Sequence, residues 1–195
     1  MRVGIGFLGI ALAAGGAAGA VVTNDVAFTA AFDGTEQRYV MLLPDGFDSA
    51  QTHDLLIALH GHGSDRWQFI RESRGEAHAS RVAAAQNRMI FVTPDYRATT
   101  SWMGPAAEAD LLQIIGDLRK RHKVGRVILS GGSMGASSAL TFTALHPELI
   151  DGVVAVNGLA DHVTYTNFQD AIAASFGGSK TAVPEEYRKR SAVNF

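Results

Sequence analysis

Cysteine is absent from this sequence of 195 residues, and charged residues make up only 18% of it. The lack of cysteine excludes a disulfide framework and a thiolate metal site, and it is compatible with an oxidising compartment. The net charge of −2 is too small to favour nucleic acid or an anionic membrane surface as a partner. Hydrophobic residues reach 47%, which is ordinary for a globular protein.

The length allows one domain with a substantial core and is short for two. Residues 1–20 have the pattern of a secretory signal peptide: a basic start, an apolar run over residues 3–14 and an A-x-A-like site at residues 18–20. A retained anchor is the alternative, disfavoured because the run is short and rich in glycine. We therefore expect a secreted or periplasmic protein with a single domain over residues 21–195, without a stable membrane span.

Residues 127–140 contain the most informative motif, Gly-x-Ser-x-Gly at Gly131, Ser133 and Gly135. A run with strand character precedes the motif and a helix-compatible stretch follows it, which is the context that a nucleophile elbow requires. Such a turn strains the serine backbone, so the residues two before and two after must be small. The motif also occurs in other glycine-rich turns, and the chain has 21 glycines. The flanking pattern favours the elbow, with Ser133 as the candidate nucleophile.

Buried-type strands and helices alternate along the chain, which predicts an α/β fold: a mainly parallel sheet with helices on both faces. The expected strands are a hairpin at 26–32 and 37–43, then 54–59, 89–93, 127–130 and 152–156. The expected helices cover 66–86 with a break near Gly75, 105–121, 136–146 and 167–175.

Four landmarks in this order resemble the α/β-hydrolase superfamily. They are a strand ending in His60-Gly61, the strand end at 93–97, the elbow at 131–135, and a helix end at 145–148 followed by a strand. Within the superfamily the chain is similar to secreted esterases and to prolyl-oligopeptidase-like serine hydrolases.

The resemblance implies a role for each motif residue. Ser133 would be acylated, and the backbone N–H of Met134 would be one oxyanion-hole donor. The second donor would come from the loop after the third strand, with His62 the first choice and Gly63 the next. No cofactor and no metal ion are implied, and the substrate would be a small-molecule or polymer ester.

The chain departs from the superfamily pattern after the elbow. An Asp or Glu and then a His are expected beyond the sixth strand, yet only His146 and His162 follow Ser133. His146 is interpreted as a residue at a helix end, and His162, beside Asp161, as a candidate replacement base. The resemblance therefore implies an α/β-hydrolase domain that lacks its C-terminal strands and helices, with an exposed apolar edge at 152–156.

Other clusters allow alternative interpretations. His60 and His62 with Asp65 could bind a metal ion, but their spacing departs from that of zinc hydrolases, and an oxyanion loop explains them better. Asp95 and Arg97 are expected to form a structural pair, with substrate contact by Arg97 as the alternative.

The Trp102-Met103 pair either packs in the core or at the surface, or it forms part of a pocket wall. Lys189 and Arg190 are expected to form a solvated surface run.

The sequence thus predicts an exported serine hydrolase that cleaves carboxylic esters through an acyl-serine intermediate. Two alternatives stay open. One is a peptidase of the same fold, and the other is a non-catalytic remnant or binding module without the triad Asp and His. The oligomeric state is left open.

Overall fold

A six-stranded sheet forms the centre of the part of the chain described by the computed structural model, residues 23–195. The signal peptide predicted for residues 1–20 lies outside the described residues. The strands are β1 (Thr23–Thr29), β2 (Glu36–Leu42), β3 (His53–Leu59), β4 (Ile90–Pro94), β5 (Val124–Gly132) and β6 (Gly152–Val156). Their spatial order is β1-β2-β4-β3-β5-β6.

Strand direction divides the sheet into two parts. The hairpin β1–β2 is antiparallel and joins β4 in antiparallel register, whereas β4, β3, β5 and β6 run parallel to one another. The hairpin turns at Gly34, whose φ of 75° favours glycine. The mainly parallel sheet predicted from the alternating pattern is confirmed. It brings the carboxyl ends of four strands to one edge of the sheet.

Helices cover both faces of this sheet, as predicted. They are α1 (Gln68–Arg71), α2 (Gly75–Gln86), α3 (Pro105–Arg121), α4 (Met134–Leu145), α5 (Gln169–Phe176) and α6 (Pro184–Lys189), followed by a 3-10 turn at Ala192–Asn194. The predicted break near Gly75 separates α1 from α2. Gly75 has a φ of 63° at the start of α2, a conformation that glycine adopts without steric cost.

The side chains of β3 show how the two faces are built. Leu55, Ile57 and Leu59 join the larger core cluster, which includes buried residues of α3, α4 and α5. The alternate residues Leu56 and Ala58 join a smaller cluster with α1 and α2 on the opposite face. This alternation follows from the two-residue period of a strand, and a strand buried on both faces must be apolar throughout.

Strand β6 lies at the edge of the sheet beside β5, and its valines are exposed. Val154 and Val156 are 53% and 43% exposed. The expected apolar edge at residues 152–156 is therefore present in the described range. Among residues 23–195, no helix combines the length and the apolar character needed to cross a membrane.

Candidate active site

Ser133 lies between the end of β5 and the start of α4, in a backbone conformation that L-residues rarely adopt. Its φ is 54° and its ψ is −119°, and the residue is exposed. A Cβ atom on Gly135 would overlap the Leu59 carbonyl, and one on Gly131 would overlap the backbone of Gly135. The turn is therefore packed directly against the end of β3. Only glycine fits at these two positions.

The backbone N–H groups around Ser133 differ in availability. Met134 is the first residue of α4, and neither its N–H nor that of His62 donates to an acceptor within residues 23–195. The N–H of Gly63, in contrast, donates to the Thr99 carbonyl at 2.8 Å. The N–H of Gly61 donates to Gln68 Oε1, also at 2.8 Å. Of these four N–H groups, those of Met134 and His62 are unengaged, one from each of the loops after β5 and β3.

His146 lies far from Ser133, at the other end of α4. The two residues flank a helix of 12 residues, so at about 1.5 Å per residue they are roughly 20 Å apart. His146 occupies the helix C-cap position, and its Nε2 lies 2.9 Å from Glu108 Oε1. The interpretation as a helix-end residue is consistent with this position.

His162 is a buried core residue. Its Nε2 lies 3.3 Å from Thr141 Oγ1, and Thr141 in turn donates to the Arg190 carbonyl at 2.8 Å. Because the threonine hydrogen is used in that bond, His162 Nε2 carries the hydrogen that Thr141 accepts. Burial lowers the pKa of His162 to about 4, with the positive charge of Arg190 contributing. A fully enclosed ring of this kind does not support the replacement-base hypothesis.

The expected pair of Asp95 with Arg97 does not form. Asp95 accepts from the Arg66 guanidinium at 2.9 Å, whereas Arg97 donates to the buried Asp110 at 2.5 and 2.8 Å and also to Asp33. Arg97 has a left-handed backbone, with a φ of 72°. Arg97 therefore ties the β1–β2 turn to α3. Because the carboxylates of Asp110 and Asp33 already engage the Arg97 guanidinium, substrate contact by Arg97 is disfavoured.

The surface run expected at Lys189 and Arg190 is wrong for Arg190. Its side chain is buried and donates to the Met103 carbonyl at 2.8 Å, while its guanidinium also contacts Glu108 and Glu186. The local pattern of basic residues gives no sign of this burial, because Met103 and Glu108 come from distant parts of the chain, and only Glu186 is a neighbour, one helical turn earlier.

The residues of the alternative metal cluster have other partners. Both ring nitrogens of His60 lie near backbone carbonyls, at 2.8 Å from Gly61 O and 3.0 Å from Asp95 O. Asp65 accepts from the N–H of Trp67 at 2.8 Å. In the described part of the chain, no three histidine or acidic side chains are grouped in a way that could hold a metal ion.

An aromatic cluster lies beside the loop after β3. Trp102 is buried and its ring centroid lies 6.1 Å from that of His62 and 5.5 Å from that of Phe168. Met103 is also buried, so this pair belongs to the core, while Trp102 supports exposed rings above it. Sequence reasoning missed Phe168, because a single phenylalanine in a polar loop carries no pattern.

Left-handed residues other than glycine concentrate at the carboxyl edge of the parallel strands. They follow β4, β5 and β6 and include Tyr96, Arg97, Trp102, Met103, Ser133, Asn157 and Phe168. Each such residue costs on the order of 1–3 kcal/mol and persists only where the surrounding structure holds it. Strain of this kind is typical of functional sites, and here it surrounds Ser133.

Comparisons with known proteins agree with this geometry. The model of the alpha/beta hydrolase fold family matches residues 54–188. A stretch of 59 residues is 30% identical to feruloyl esterase C of Emericella nidulans, covering 30% of this chain and 22% of that enzyme. The chain thus matches less than a quarter of this curated relative.

Solved structures show the same fold at low identity. A fluorophosphonate-binding serine hydrolase of Staphylococcus aureus superposes with a TM-score of 0.71 at 14% identity, over 90% of this chain and 72% of that one. A post-proline cleaving enzyme of Rickettsia typhi gives 0.68 at 16% identity, over 89% of this chain and 26% of that one. Since both identities are low, these likenesses bear on the fold alone.

Proposed function

Because the chain belongs to the α/β hydrolase fold family, we propose that it is a serine hydrolase that cleaves carboxylic esters through an acyl-serine intermediate. The observation that carries the proposal is the exposed Ser133, held at φ 54° between β5 and α4. Similarity to a feruloyl esterase favours an ester over a peptide bond.

In the proposed reaction, Ser133 Oγ attacks the ester carbonyl carbon while its proton passes to a general base. The carbonyl oxygen becomes an oxyanion and accepts hydrogen bonds from the unengaged N–H groups of Met134 and His62. Each such donor is worth about 3 kcal/mol in the transition state. The alcohol then leaves with a proton, and water hydrolyses the acyl-serine. Gly63, the second choice of donor, would first have to release the Thr99 carbonyl.

We assign no general base to the two histidines that follow Ser133. His146 is engaged with Glu108 at the distant end of α4, and His162 is enclosed in the core. The triad histidine and carboxylate are therefore left unassigned among residues 23–195. Without a general base the serine hydroxyl is a weak nucleophile, and the loss reaches several powers of ten in rate. We also propose export, on the basis of residues 1–20.

A fluorophosphonate probe tests the nucleophile. Covalent labelling of Ser133 is expected, in this chain or in a C-terminally extended one, and the variant Ser133→Ala should abolish it. Ser179→Ala is a matched control, since Ser179 is also exposed but lies far along the chain after α5. If neither chain is labelled at Ser133, the alternative of a non-catalytic binding module replaces the proposal.

A paired substrate test separates esterase from peptidase. The methyl ester and the anilide of one carboxylic acid are compared by kcat/KM with whichever chain the probe labels. Because an ester is intrinsically more reactive than an anilide, the anilide decides: an esterase should cleave the ester and leave the anilide uncleaved. Measurable hydrolysis of the anilide would favour the peptidase alternative.

A further inference from the structure

Phe168 is an exposed aromatic residue in a strained conformation. Its side chain is 48% exposed, and its backbone is left-handed at φ 53° and ψ 28° immediately before α5. A phenylalanine gains little by exposure to water, and a left-handed backbone is unfavourable for an L-residue. Neither the exposure nor the backbone conformation by itself stabilises the folded chain.

The ring of Phe168 contacts the loop that carries the proposed oxyanion-hole donor. Its centroid lies 4.6 Å from that of His62, with the rings tilted by 45°. The buried Trp102 lies beneath both rings, and its centroid is 5.5 Å from that of Phe168. Distances of 4.5–7 Å are those of attractive aromatic pairs. The three rings therefore form one aromatic surface, of which His62 and Phe168 are the exposed part.

Sheet order places the two loops that carry these rings on either side of the strand that leads to Ser133. Strand β5, which leads to Ser133, lies between β3 and β6. His62 follows β3, whereas Phe168 belongs to the loop after β6. The N–H of Ser133 donates to the carbonyl of Val156 at the end of β6, at 3.0 Å. The two flanking loops thus meet next to the strand end that carries the serine, and they meet through His62 and Phe168.

We propose that the exposed rings of His62 and Phe168 bind a planar aromatic group of the ester substrate. The inference rests on the proposed function and narrows its substrate to aromatic esters. An aromatic ring on the substrate would extend the existing stack and cover the exposed face of Phe168. The ring belongs either to the acyl group or to the alcohol, since both extend from the carbonyl carbon that Ser133 would attack.

Ligand binding to the Ser133→Ala chain tests the inference without catalysis. NMR titration with methyl 3-phenylpropenoate, phenyl acetate and the ring-saturated methyl 3-cyclohexylpropenoate compares acyl-side, alcohol-side and non-aromatic groups. At least one aromatic ester should bind more tightly than the cyclohexyl ester and shift the ring protons of Phe168. Whichever of the two aromatic esters binds more tightly identifies the side of the substrate that carries the ring.

Two variants at Phe168 and one control complete the test. Phe168→Leu, which keeps apolar bulk, should weaken aromatic binding about three- to tenfold, the range of one aromatic contact. Phe168→Tyr should retain binding, which guards against loss through misfolding. Phe32→Leu is the matched control, because Phe32 is 56% exposed but lies in the turn between β1 and β2. Equal binding of aromatic and cyclohexyl esters, or unchanged binding in Phe168→Leu, would overturn the inference.

The two proposals fail in different measurements. If the fluorophosphonate probe does not label Ser133 but the aromatic esters bind as expected, the serine mechanism is wrong and the aromatic site stands. If labelling occurs but Phe168→Leu binds normally, the aromatic site is wrong and the serine mechanism stands.

Discussion

Arg190 and Glu108 form a buried ion pair that joins the C-terminal part of the chain to α3. Arg190 Nη2 lies 2.8 Å from Glu108 Oε2, and the arginine side chain is only 1% exposed. Burial acts to raise the pKa of Glu108, but Arg190 and the hydrogen bond from His146 lower it overall. Glu108 therefore contacts both Arg190 and His146. These contacts lie at the C-terminal end of α4, far from Ser133.

Arg190→Met is expected to destabilise the fold by about 3 kcal/mol, since it leaves a partly buried carboxylate without its cation. Arg188→Met is the matched control in the same helix. The Arg188 pair with Glu185 is exposed, and such pairs contribute less than about 1 kcal/mol. Urea unfolding measures both variants. An equal loss of unfolding free energy in the two variants would show that the buried ion pair contributes no more than the exposed one.

His162 should make stability fall in mild acid. The pKa of His162 is about 4 in the fold against an ordinary value of 6.5, so the unfolded chain binds a proton first as the pH drops. Its contribution is complete above pH 6.5 and is lost between about pH 6.5 and 4, at most about 3 kcal/mol. In His162→Gln, the free energy of unfolding should therefore depend less on pH over this range.

The control for this effect is His78→Gln, because His78 is exposed on α2. Urea unfolding at pH 7.5, 6 and 4.5 compares the three chains. The control should parallel the wild type. A His162→Gln profile that also parallels the wild type would contradict the assignment to His162.

Two glycine-to-alanine changes should act in opposite directions. Gly135→Ala places a Cβ atom against the Leu59 carbonyl and should cost at least about 3 kcal/mol or prevent folding, as overpacking against backbone does. Gly116→Ala meets nothing within 4 Å on α3 and should stabilise by about 0.5–1 kcal/mol through helix propensity. Thermal unfolding shows whether each variant is less or more stable than the wild type. A tolerated alanine at residue 135 would contradict the tight elbow.

Ser133→Gly should be more stable than Ser133→Ala. Glycine adopts the backbone of residue 133 freely, whereas alanine keeps the strain, so the gain should be about 1 kcal/mol after the larger unfolded-state entropy of glycine. The two variants share the loss of the hydroxyl, which isolates the backbone effect in urea unfolding. An alanine variant as stable as the glycine variant would mean that residue 133 is unstrained.

The tight turn and the layered α/β fold depend on local rules and could be predicted. The two-residue period of β3 and the apolar spacing of α3 reflect contacts that repeat along one element. The glycines at 131 and 135 follow from crowding within a few residues of Ser133. The sequence alone therefore determined the strands, the helices as far as α5 and the position of the candidate nucleophile, whereas α6 and the 3-10 turn after it were not predicted.

Side-chain partners distant along the chain were decided by the tertiary structure. The carbonyl of Met103 is 87 residues from Arg190, and no pattern around Arg190 indicates a buried guanidinium. Arg97 binds Asp110 on α3 and Asp33 in the β1–β2 turn instead of the nearby Asp95. Phe168 contacts His62 only because parallel β3 and β6 end at the same edge of the sheet, on either side of β5. Such contacts depend on which strand ends the fold brings together, and this order is set by packing of the whole sheet.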